Sequence, residues 1–118
     1  GEWLQSGVIM ERISREIKAS EDINFISAND LKLNTKDDLG ANKTVEFLLS
    51  GSNVQFLENN VFTGNLNTPN ITVTALDFTQ ITTTNGKAVK IVLSVRSNND
   101  SLVRVQDFYD TIVLRGKY

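Results

Sequence analysis

The chain has 118 residues, with 14 acidic and 12 basic side chains, a net charge of −2 at pH 7, and neither cysteine nor histidine. That length suits one domain, 1–118, burying roughly two-thirds of the surface of its unfolded chain. The missing residue types exclude Cys/His zinc sites, thiol nucleophiles and a Ser-His-Asp triad. Acids and bases are interleaved without a basic cluster, so no nucleic-acid partner is indicated. No apolar run approaches the roughly twenty residues that span a bilayer, and no signal peptide is recognisable.

Trp3 to Ala19 carries the one clear helical period, giving a helix over about 3–19. Ile9, Ile13 and Ile17 recur every four residues, and at about 100° per residue Met10 and Trp3 fall on the same side. This stripe is the expected core face. Glu11, Arg12, Arg15 and Lys18 occupy the rest of the circumference, as a solvated surface or a set of partner contacts. Leu4 and Val8 lie opposite the isoleucines, where one helix-on-sheet contact leaves them uncovered. They are either ordinary exposed apolar residues or contacts for something outside the domain.

From residue 23 to 115 the chain reads as strands and turns. Ile23–Ile26 and Leu31–Leu33 flank a turn and form a short hairpin. Asn34 to Lys43 is polar and reads as an exposed loop. Val45, Phe47 and Leu49 alternate with polar neighbours, and Val54 and Phe56 resume the alternation after Ser50-Gly51-Ser52-Asn53, a second hairpin. Glu58 to Asn70 reads as an irregular connection with one short strand near Val61-Phe62. The parity slip between Ile71/Val73/Ala75 and Leu76/Phe78 predicts a bulge near Ala75-Leu76. Asn85-Gly86 is a two-residue hairpin signal, followed by the cleanest alternation of the chain, Val89, Ile91, Leu93 and Val95. Leu102–Val105 and Thr111–Leu114 form a last strand region, interrupted at Asp107–Asp110. A sheet needs a layer over its apolar face, and the helix is the one candidate. The expected fold is therefore α+β: a long N-terminal amphipathic helix packed on antiparallel sheet.

Few side chains point to chemistry. Asn34, Asp37, Asp38 and Asn42 gather oxygen ligands of the kind calcium takes, with Asp37 and Asp38 the candidate carboxylates, but their spacing is not that of an EF-hand loop. They read as solvated loop residues. Asp77, Asp107 and Asp110 are the remaining candidates for acid/base work, and nothing in the sequence brings two of them together. Three Asn-x-Ser/Thr sequons, at Asn42, Asn70 and Asn99, are what chance gives in so Asn- and Thr-rich a chain. No catalytic residue, cofactor or metal is expected.

The order of these pieces resembles the extracytoplasmic domain of type IV pilin-like proteins, in particular the larger minor pilins and J-type minor pseudopilins of type II secretion systems. The resemblance is carried by Met10-Glu-Arg-Ile-Ser-Arg-Glu-Ile-Lys-Ala19 leading into a sheet, by Ile71-Thr-Val-Thr-Ala-Leu-Asp-Phe78, and by Gly86-Lys-Ala-Val-Lys-Ile-Val-Leu-Ser-Val95. The closing Phe108-Tyr-Asp-Thr-Ile-Val-Leu-Arg115 also fits, with Gly116 where asparagine is usual. The likeness implies a pilin-like fold and a non-catalytic structural subunit of a type IV filament or secretion pseudopilus. It further implies a bacterial envelope protein anchored in the inner membrane by an apolar helix ahead of Trp3, with a methylated N-terminus. Other pilin or pseudopilin subunits would be its partners, through Leu4, Val8, Arg12 and Arg15. The alternative from another class is a small secreted adhesive or ligand-binding β-domain that uses the loops at Asn34–Asn42 and Glu58–Asn70.

Overall fold

The computed structural model describes residues 2–116, with side chains from residue 7 onward. One helix, α1 (Glu2–Ala19), precedes eight strands: β1 (Asp22–Ser27), β2 (Asp30–Lys36), β3 (Asn42–Ser50), β4 (Asn53–Glu58), β5 (Val61–Asn65), β6 (Ile71–Thr83), β7 (Gly86–Ser97) and β8 (Val105–Val113). The first five form one sheet and the last three another, each in chain order and antiparallel throughout.

This corrects the expected fold class. Among the described residues the chain is mostly antiparallel β in two sheets, and a long helix packed on a sheet does not describe it. The physical reason lies in β6. It packs against β1, β2 and β4, and its Val73, Leu76 and Phe78 enter the same core as Leu31, Phe47 and Phe56 of the larger sheet. Sheet covers sheet, so the helix is not the only layer available to the apolar faces. It fills the remaining side, against β7 and β8.

The free edge of β6 is closed by the turns of the other sheet. Phe78 N–H donates to the Ala28 carbonyl at 2.7 Å and Val73 N–H to the Ser52 carbonyl at 3.0 Å. These bonds satisfy edge groups that otherwise invite pairing with another chain. The helix stops at Ser20, which is buried and donates its hydroxyl to the Ile17 carbonyl at 2.7 Å.

Local signals explain most strand boundaries. β4 and β5 join through Asn59-Asn60, both in the left-handed region at φ 51° and 67°, the backbone of a type I′ turn. The expected irregular stretch at Glu58–Asn70 is thus half hairpin. The expected loop at Asn34–Lys43 shrinks likewise, because β2 runs to Lys36 and β3 starts at Asn42. The register shift in β6 falls between Val73 and Ala75. The interruption expected at Asp107–Asp110 is absent: β8 is continuous. Asp107 and Asp110 have opposite parity, and each takes a serine hydroxyl, Ser94 at 2.6 Å and Ser14 at 3.4 Å, so neither breaks the strand.

Candidate functional site

The helix divides its circumference sharply. Ile9, Met10, Ile13 and Ile17 are buried among residues of both sheets. Arg12 sets its guanidinium 4.6 Å from the centroid of the Phe56 ring and its Nε 3.3 Å from Glu16. It is therefore committed to its own domain more than to a partner. Val8, Glu11, Arg15 and Lys18 are exposed, and their 3-4-3 spacing makes them one straight stripe. Val8 is 54% exposed. The side chain of Leu4 lies outside the described residues.

The acids singled out in the sequence are dispersed. Asp37 Oδ1 accepts the Leu39 and Ala41 amides, both at 2.9 Å, which makes it the organiser of a tight turn. Asn42 Oδ1 accepts from Lys36 and Asn34 Oδ1 from Asn24, so two of the imagined calcium oxygens already serve the protein. Asp38 joins no cluster: among the described residues no group of three or more acids could hold a metal ion. Asp77 faces Val92 across β7, Asp107 faces Ser94, and Asp110 lies on the opposite side of β8 from Asp107. No two of them form a pair for acid/base work.

The polar loops do meet. An open cleft of about 530 Å³ lies between Asn34, Lys43 and Asn59, and a second of about 640 Å³ continues past Lys36 to Arg115. Their lysines are engaged, Lys43 with Glu58 at 2.6 Å and Lys36 with Glu21 at 3.7 Å. The first is walled by amide, hydroxyl and paired charged groups, and the second mainly by the charged Glu21, Lys36, Asp37 and Arg115.

Residue-by-residue reading missed the outer face of the five-stranded sheet. Strand pairing sets Phe25, Lys32, Glu46, Leu57 and Phe62 side by side, one from each of β1 to β5. Phe25 is 50% and Phe62 53% exposed. Asp30, opposite Leu48, is the diagonal neighbour of Glu46 in this row. The Glu46 carboxyl is pushed up to about 7, first by its hydrogen bond with Asp30, then by burial and by the Asp30 charge, against the pull of Lys32. Asp30 Oδ1 is buried and receives no donor from the protein. The alternation of β2 and β3 does place Lys32 and Glu46 on the polar side; only the register brings the two carboxyls together.

This pair gives the domain a pH dependence. Unfolded, Glu46 ionises near its ordinary value of 4.5; folded, it holds its proton to about 7. Between those values the folded chain binds the extra proton, so Glu46's contribution to stability is full below about pH 4.5, is lost as pH rises through 7, and stays lost beyond. The expected loss is about 1 kcal/mol, since solvent screens a partly exposed pair. Urea midpoints at pH 5 and pH 8.5 should differ accordingly, and Glu46→Gln should flatten the difference while raising stability at pH 8.5.

No family model matches the chain, nor does any curated protein or any solved structure.

Proposed function

We propose that this chain is a non-catalytic structural subunit, a minor pilin or pseudopilin, of a type IV filament or type II secretion pseudopilus, acting in assembly or at the tip. The observation that supports it best is the two-sided helix. Its isoleucine stripe belongs to the domain's own core, and Val8, Glu11, Arg15 and Lys18 are left facing outward in a straight line. A subunit that joins neighbours through its helix needs that division. The reading rests on the helix and on the ordered sequence motifs, and it does not require the α+β class set aside above. Its setting is the bacterial cell envelope, with inner-membrane anchoring through an apolar segment ahead of Trp3 in the native protein and other pilin-type subunits as partners.

The test is mass spectrometry of the N-terminal peptide of the native protein isolated from membranes. A methylated N-terminal residue opening an apolar helix that runs into Trp3 is the expected result. A terminus made by ordinary signal peptidase close to Gly1, with no apolar helix, overturns the reading.

A further inference from the structure

The outer face of the five-stranded sheet is unusual in two respects. It carries two half-exposed phenylalanines in one row. Beside that row, where β2 begins, a buried carboxylate oxygen, Asp30 Oδ1, meets no donor from the protein, and the Asp30 carboxyl lies against that of Glu46. Buried polar atoms are paired in the great majority of native structures, and the group that satisfies two adjacent carboxyls best is a guanidinium. The face therefore asks for a cation set among apolar contacts.

We infer that this face docks the exposed helix stripe of a second copy of the chain, with Arg15 of one copy seated on the Asp30–Glu46 carboxyl pair of the next. The spacings carry the argument. A helix rises about 1.5 Å per residue, so Val8, Glu11 and Arg15 lie about 4.5 Å and then about 6 Å apart along the axis. Phe25, Lys32 and Glu46 sit on successive strands, about 4.8 Å apart. The two series span about 10.5 and about 9.6 Å. Laid together they match Val8 with Phe25, Glu11 with Lys32, and Arg15 with Glu46: apolar on apolar, and each charge on its opposite. Lys18 continues over β4, with its methylene stem on Leu57. Run the other way with Arg15 kept on Glu46, Glu11 falls on Leu57 and Lys18 falls on Lys32, like charge on like, so the charges select one orientation.

The two patches are different surfaces, and the outer face of the sheet points away from the core that α1 helps to close. The contact is therefore heterologous and propagates head to tail instead of closing a pair. The inference rests on the filament-subunit reading for its setting and names one neighbour in it. It is tested separately from that reading.

A helix laid on a sheet is a small interface, in the class of transient contacts below about 1,200 Å², so sedimentation velocity should run to about 1 mM protein. The wild-type chain should associate with rising concentration, and less so in high salt. Arg15→Glu and Glu46→Arg should each weaken association about tenfold or more. An equimolar mixture of the two variants should recover it, because the altered helix of one then meets the altered sheet of the other. Val8→Asp should weaken association without being rescued by either. Circular dichroism establishes folding of each variant; if E46R does not fold, R15E and V8D decide the matter. A wild-type chain that stays monomeric at every concentration overturns the inference. So does association undiminished in R15E and V8D, or a mixture of folded R15E and E46R that recovers nothing. The N-terminal mass of the native protein is untouched by any of these outcomes, so the filament reading stands or falls on its own.

Discussion

Replacing Ile13 with Asp is expected to unfold the domain. Ile13 has no solvent exposure and stands mid-stripe between Ile9 and Ile17, in a core drawn from α1 and both sheets. A carboxylate forced there meets the apolar side chains of that cluster, and the cost of burying it unpaired exceeds about 4 kcal/mol. Domains of this kind hold about 5–15 kcal/mol in all. Far-UV circular dichroism with a urea titration should find the variant unfolded or close to it at 25 °C. Val8→Ser, one turn away on the exposed stripe, should shift stability by no more than about 0.5 kcal/mol. Equal losses in the two variants would refute the division of the helix into a core face and a free face.

The second large effect is expected at Asn67, a buried side chain in the connection between the two sheets. Its Nδ2 donates to the carbonyls of Ser52 at 3.2 Å and Ile71 at 2.9 Å and to Asn53 Oδ1 at 3.1 Å, while its Oδ1 accepts the Val54 amide at 2.9 Å. One side chain thus ties the β3–β4 turn and the start of β4 to the first residue of β6. Asn67→Ala removes every one of these bonds and takes from the buried Val54 amide its acceptor, at a cost of about 3 kcal/mol. Asn67→Asp keeps the acceptor for Val54 but places a carboxylate against two carbonyls, and it should be no better. The urea midpoint measures both, and a change below about 0.5 kcal/mol in Asn67→Ala would show that the connection is held by other contacts.

The helix and most strands were legible in the sequence because their signals are local. Isoleucines at four-residue spacing, the alternation from Val89 to Val95 and the Asn85-Gly86 turn each depend on a few adjacent residues. The Asn59-Asn60 turn carries such a signal too, since asparagine tolerates the left-handed region, but without glycine the signal is weak. What the sequence could not display is pairing at a distance. Val73, Leu76 and Phe78 look the same whether a helix or another sheet covers them, and that ambiguity produced the wrong fold class. The same limit hid the row from Phe25 to Phe62. Each member is an ordinary residue on its own strand, and only five strands in register make a surface of them. Asp37 and Asp38 are adjacent in sequence yet build no shared site among the described residues. The acids that do approach each other, Asp30 and Glu46, stand sixteen positions apart.

Both sheets are simple meanders, in which every strand pairs with its neighbour in sequence. Each closing step therefore spans a short loop with a small entropic penalty, and hairpins can zip one after another before any long-range contact exists. Such local connectivity favours rapid folding for a β-rich chain, since rates fall as contacting residues grow more distant in sequence. The late and costly event is the docking of the two preformed meanders along β6, where Ala28 and Ser52 receive its amides. A chain that lengthens one strand at a time from its N-terminus thus builds most of its structure in order of appearance, with little edge left waiting for a partner.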